Sequence, residues 1–160
     1  MNIEMTLDVK SINKVIKELE KYKQDMENKT KIALEKLASI GVVDISLGYM
    51  EALTGVDKID VTSEWVSDNT IAIKATGKEV AFVEFGAGLI GYGHPLASKL
   101  GVGPGTYPEG KGNWNNPKGW WYKDATGSHH TYGNYPSMVM YNATKKLEAE
   151  VERVFMEVFG

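Results

Sequence analysis

Residues 78–95 read KEVAFVEFGAGLIGYGHP, and the fold turns on how they are read. Gly86-Ala87-Gly88-Leu89-Ile90-Gly91 has the G-x-G-x-x-G spacing of a dinucleotide-binding turn, which would make this an α/β chain with a nicotinamide or flavin cofactor. Such a turn ends a strand and opens a helix whose N-terminal amides hold the pyrophosphate. An acid for the ribose follows about 20 residues later. Residues 80–85 are apolar enough for the strand. The helix fails, because Gly91, Gly93, Pro95, Gly101, Gly103, Pro104 and Gly105 arrive too densely for uninterrupted turns. The only nearby acid, Glu109, sits in TYPEGKG, which reads as a turn. The glycines are therefore read as an irregular loop, no cofactor is expected, and the flanking patterns must supply the fold.

Immediately upstream, residues 61–66 and 70–75 follow the two-residue period of strands and join through Ser67-Asp68-Asn69 as a hairpin, with Ile71, Ile73 and Ala75 on one face. Residues 78–85 fit a strand or a short helix, and are read as a helical turn leading into a strand. Farther upstream the period is helical: Ile12, Val15, Ile16, Leu19, Tyr22 and Met26, then Ala33, Leu34, Leu37, Ile40 and Val43 or Asp44. A polar patch over residues 24–31 leaves either two helices or one long one. Ser11 is the expected N-cap, and Ile3, Met5, Leu7 and Val9 alternate as a strand before it.

Downstream, residues 86–136 form a Gly-, Pro- and aromatic-rich stretch much longer than an ordinary connection. Its rings, among them Tyr107, Trp114, Trp120, Trp121, Tyr122, Tyr132 and Tyr135, argue against simple disorder. Within it, GWWYK, DATGS and HHTY predict a second hairpin. Ser137 is placed to cap a last helix whose stripe is Met140, Ala143, Leu147, Val151, Val154 and Val158. The expected fold is one α+β domain over residues 1–160. A small antiparallel sheet packs against a long N-terminal helix, or helix pair, and a C-terminal helix, with the 86–136 loop inserted.

Composition narrows the function classes. The chain has 160 residues, enough for one domain with a core, and its 42% hydrophobic and 24% charged content is that of an ordinary globular protein. A net charge of -3 gives no global attraction to nucleic acid or an anionic membrane. There is no cysteine, hence no disulfide and no thiolate metal site. The N-terminus lacks the order of a signal peptide, and Asp44 interrupts the most apolar stretch, so a cytosolic origin without a membrane partner is expected.

Three chemistries rest on particular residues. His94, His129 and His130 are the only imidazoles and are the basis of a metal-dependent hydrolase reading. If the second hairpin forms, neighbours on a strand point to opposite faces, so His129 and His130 do not easily share a metal. No G-x-S-x-G elbow is present. Glu84 is either a buried general base or an acceptor for loop amides or a lysine. The tryptophans with Lys111, Lys118 and Lys123 allow a nucleic-acid or glycan-binding module, but the lysine surplus is small and an interface is the favoured account of the rings.

The order of motifs adds a resemblance. Thr54-Gly55 ends a long helix, Val83-Glu84-Phe85-Gly86-Ala87-Gly88 follows the hairpin, and Pro136, Met140 and Ala143 open the last helix. This order resembles the gene-product-ten-like tail-component family of long-tailed bacteriophages, concerned with head-to-tail joining and tail completion. Trp120-Trp121-Tyr122 and His129-His130-Thr131-Tyr132-Gly133 look like the aromatic insertion of versions from phages and prophages of Gram-positive bacteria. Family members often carry a proline before Thr-Gly and a basic residue after it, whereas here Glu51-Ala52-Leu53 precedes and Val56-Asp57 follows. The resemblance implies a non-enzymatic virion protein without metal or cofactor, assembled in the host cytoplasm. It forms a ring, a hexamer, at the head-proximal end of the tail. Its implied partners are copies of itself, the connector or head-closure protein, and the tail-tube or tail-terminator protein, with no specific nucleic-acid site. The expected interface residues are Trp114, Trp120, Trp121, Tyr122, His129, His130 and Tyr132. Thr54, Gly55, Glu84, Phe85, Gly86 and Gly88 are the expected turn residues.

Overall fold

A computed structural model describes residues 6, 8–52, 58–107, 115–124 and 126–160 of the chain. Thr54, Gly55, Lys111 and Trp114 lie outside the described residues, as do Ile3, Met5 and Leu7 of the expected first strand. Val9, the last residue of that strand pattern, already belongs to a helix.

That helix, α1 (Val9–Ala52), runs unbroken for 44 residues. The polar patch at 24–31 does not divide it, because no glycine or proline interrupts there and i,i+4 pairs such as Lys23–Glu27 and Asp25–Lys29 bridge its turns. Ser11 is not its cap. Asp8 takes that role, its Oδ1 accepting the Ser11 N–H at 2.9 Å while the Thr6 hydroxyl donates to Oδ2. These two hydrogen bonds hold the exposed Asp8 carboxyl below its usual range.

The first hairpin, β1 (Asp60–Ser67) and β2 (Thr70–Thr76), forms where expected. Register Val61↔Ala75, Ser63↔Ile73 and Trp65↔Ile71 places Ile71, Ile73 and Ala75 together with Val61 and Trp65 on one face, and Ile73 reaches α1 at Gly41. Next comes α2 (Val80–Phe85), helical through the whole stretch, followed by the two-residue β3 (Ala87–Gly88) and the single turn α3 (Ala97–Leu100). The second hairpin is β4 (Trp120–Asp124) with β5 (Gly127–Thr131), then β6 (Gly133–Asn134) pairs with β3. The α+β class is as expected, but among the described residues three separate two-stranded ladders replace a single sheet.

The last helix, α4 (Val139–Phe159), packs antiparallel on the C-terminal half of α1. Gly41 and Gly48 make room: a Cβ on the first would press into Leu147, and on the second into Val139. Lys146–Asp44 at 2.7 Å and Lys36–Glu157 at 2.6 Å tie the two helices along the contact. The core gathers at one end of this pair, where Ile45 and Tyr49 of α1 meet Val83 of α2 and Val139 and Ala143 of α4. Ile59, Val61, Ile73 and Ala75 of the first hairpin close over them. Of the stripe expected on α4, Ala143 and Val154 are buried while Val151 faces outward.

Candidate functional site

Two arrangements hold the sequence-predicted residues: a buried polar node under the glycine loop, and an exposed aromatic ribbon.

The node is built on α2. The C-terminal carbonyls of a helix lack intrahelical donors. Here the Phe82 carbonyl accepts from the Gly86 N–H and the Asn134 side chain, the Val83 carbonyl from the Ser137 N–H, and the Glu84 carbonyl from the Met138 N–H. The Glu84 side chain continues the same junction. Its Oε2 accepts the Met140 N–H at 2.8 Å, and its Oε1 accepts the Tyr141 N–H at 3.0 Å. Glu84 is thus the N-terminal cap of α4, a carboxylate at the positive end of the helix dipole supplied from 56 residues away. Ser137 does not fill that place; Met138 occupies the capping position in a left-handed conformation (φ 54°) without a side-chain cap.

His94 completes the node. The Leu96 N–H donates to its Nδ1 at 3.1 Å, so Nε2 carries the proton and donates to Glu84 Oε1 at 3.2 Å. Both side chains are buried, and the imidazole ring lies against Phe85 and Tyr141. The Tyr49 hydroxyl is buried beside the same carboxylate, yet none of the described residues meets it at hydrogen-bonding geometry. Every oxygen of Glu84 is committed to protein donors, so the geometry is that of a fastening between α2, the glycine loop and α4. Surface grooves of about 310 and 330 Å³ include neither Glu84 nor His94.

Gly86 and Gly88 hold left-handed conformations (φ 79° and 69°) above this node. A Cβ on Gly86 would strike the backbone of Gly91; on Gly88 it would meet the Tyr132 carbonyl and the Trp120 ring. The G-x-G-x-x-G spacing is therefore a place where backbone crosses backbone. It follows a helix and is not followed by one of useful length, the reverse of a dinucleotide turn. Tyr107 ties the loop down: its ring lies 4.6 Å from Phe82 and its hydroxyl donates to the Gly86 carbonyl at 2.5 Å.

Burial raises both tyrosines of this region, Tyr107 to about 12 and Tyr49 well above its ordinary value, where the Glu84 charge adds to burial. Unfolded, both ionise at their ordinary value of 10.0, so the stability they contribute is complete below pH 10 and is lost as pH climbs through the folded values. Alkaline titration is expected to find two of the eight tyrosines ionising late and together with unfolding. Uniform tyrosinate absorbance growth near pH 10 in folded protein would refute this placement.

The aromatic ribbon is β4 and β5. Trp121 opposes His130, their rings 5.2 Å apart, and His130 stacks edge-on with Tyr132 at 4.9 Å. This side faces out, with Trp121 70% and Tyr132 56% exposed. Tyr122 and His129 pair on the opposite side, rings 5.4 Å apart. Trp120, also on that side, is partly buried, its ring against Gly88. His129 and His130 thus point apart as expected, and His94 is in the buried node. Among the described residues no three His, Cys, Asp or Glu groups converge as a metal site.

Sequence reading missed Glu84 as the cap of a helix so distant, and Asn134 and Tyr107 as the ties of the loop. A single acid among apolar neighbours was the one visible signal. Among the described residues no helix is long and apolar enough to cross a membrane. Compared with known proteins, the chain matches no family model, no curated protein and no solved structure.

Proposed function

We propose that this protein is a structural virion component of a tailed phage or prophage, a tail-completion or head-to-tail joining protein that acts by assembling as a ring at the neck. The order of the Glu84-Phe85-Gly86 turn, the aromatic insertion and the final helix motivates the proposal. The single structural observation that carries it is the outward face of the second hairpin. Trp121, His130 and Tyr132 form a contiguous aromatic patch on a ribbon of only two strands, with Tyr135 also 71% exposed nearby in sequence. Two strands alone are marginally stable in water, and a clustered apolar patch of this kind marks an interaction surface. Aromatic anchors dominate such surfaces. The occupants proposed are a neighbouring copy, the connector or head-closure protein, and the tail-tube or tail-terminator protein.

Trp120 and Trp121 separate folding from assembly. Trp121→Ala is expected to change stability by less than about 0.5 kcal/mol, since the ring is mostly solvated, while abolishing incorporation into tails. Trp120→Ala removes a ring that fills the space over Gly88 and is expected to cost about 2–3 kcal/mol. Thermal unfolding of both variants, with electron microscopy and light scattering of the protein alone and mixed with tail-tube protein, reads the two effects. Normal yields of complete particles from Trp121→Ala would sink the proposal. Salt-sensitive quenching of Trp121 by oligonucleotide, without any joining to tails, would favour the nucleic-acid reading.

A further inference from the structure

α4 is 21 residues long and covers only the C-terminal half of the 44-residue α1. The Lys29 ammonium lies over the ring of Phe159, the last residue of α4, and marks where that cover stops. Residues 9–28 continue beyond it as a helix of about 30 Å that no other described element covers. This overhang is not polar all round. Ile12, Ile16 and Leu19 sit at i, i+4 and i+7, each 39–47% exposed, so they form one apolar strip in solvent. The covered half of α1 carries a second strip of the same spacing on its outer side: Val43, Leu47 and Met50, 52–73% exposed.

The two strips fit one another in charge as well as spacing. Residues 9–30 hold six lysines against four carboxylates, whereas residues 37–52 hold no basic residue and two acids, Glu51 and the Asp44 already paired with Lys146 of α4. They cannot meet within one molecule, because a straight helix keeps Ile16 and Leu47 about 46 Å apart. Nor can a two-fold pair satisfy both at once, since at roughly 3.6 residues per turn the second strip lies about 140° around the helix from the first. One neighbour therefore covers one strip, and another neighbour the other. That is a head-to-tail contact, which closes into a ring or runs on as a filament.

We propose that the overhang of α1 docks on the Val43–Leu47–Met50 strip of the next copy, so that α1 links subunits head to tail. The inference rests on the ring-assembly reading and names the surface that would carry it. The occupant is a second copy of this chain because the chain itself supplies both complementary strips, and every copy then gives one and receives one.

The absence of cysteine allows a direct test. Ile16→Cys and Leu47→Cys are made singly and together, oxidised, and run without reductant. The double variant is expected to give a ladder of covalent oligomers, a mixture of the two single variants a covalent dimer, and each single variant alone only monomer. A disulfide needs Cα atoms within about 7 Å, so the cross-link cannot form within one chain. Dimers from Ile16→Cys alone would overturn the head-to-tail contact in favour of self-pairing of the overhang. Separately, Ile16→Glu is expected to raise the concentration for half-association at least tenfold with helical circular dichroism unchanged. An oligomer whose mass and midpoint survive Ile16→Glu, with no ladder from the double variant, overturns the inference while leaving ring assembly standing. A wild-type protein that stays monomeric at every concentration and joins no tail removes both.

Discussion

Glu84→Ala is expected to lower the free energy of unfolding by about 3–5 kcal/mol, because three donors lose their acceptor and each one left buried and unmet costs about 1–3 kcal/mol. The substitution strips the carboxylate from the N–H groups of Met140 and Tyr141 and from His94, all in the interior or at its edge. It leaves the first turn of α4 without an acceptor and the imidazole with an unmet donor. Glu84→Gln keeps one acceptor oxygen but turns an amide donor toward these same donors, so an intermediate loss is expected. Urea unfolding followed by circular dichroism measures both. An alanine variant with an unchanged midpoint would mean that the cap contributes nothing and that α4 is held by its packing on α1 alone.

Gly133→Ala is expected to be comparably severe, on the order of 3 kcal/mol or more. Gly133 has φ 103°, and a Cβ there would run into the carbonyl of Ala87, across the β3–β6 ladder. Backbone cannot step aside as a side-chain tip can, so the ladder would have to open. Gly93→Ala is the control. Its φ of 118° is as unfavourable, but a Cβ there meets nothing within 4 Å, so only the conformational cost of about 1–2 kcal/mol is expected. Equal losses at the two positions, read from the same urea midpoints, would show that torsional strain, and not the crossing of β3 and β6, sets the requirement for glycine.

These two sites also mark where sequence reasoning stops. Hydrophobic period placed the first hairpin, the WWY/HHT hairpin and both long helices, because each depends on side chains two to four positions apart. It missed the start of α1, where Asp8 caps in place of Ser11, since both residue types suit that role and only the backbone path chooses. It left residues 78–85 between a strand and a short helix, and the strand expected at their end is helix through Phe85. Val80, Phe82, Val83 and Phe85 suit a strand as readily, and contact with α4 tips the balance. Glu84 was legible only as an acid in an apolar setting. Its partners are ten residues away at His94 and more than fifty away at Met140, distances over which no local pattern runs.

The amino-acid order alone determined the α+β class, the exclusion of a dinucleotide turn and the opposed faces of His129 and His130, because periodicity and glycine density act within a few residues of chain. Which rings are sheltered and which are offered, that Trp120 seals the glycine loop while Trp121 stands in solvent, and that α1 outruns α4 with an apolar strip uncovered by the described residues, only the tertiary structure decided. Burial is a property of what comes to lie opposite a residue, and two helices of 44 and 21 residues cannot cover each other completely.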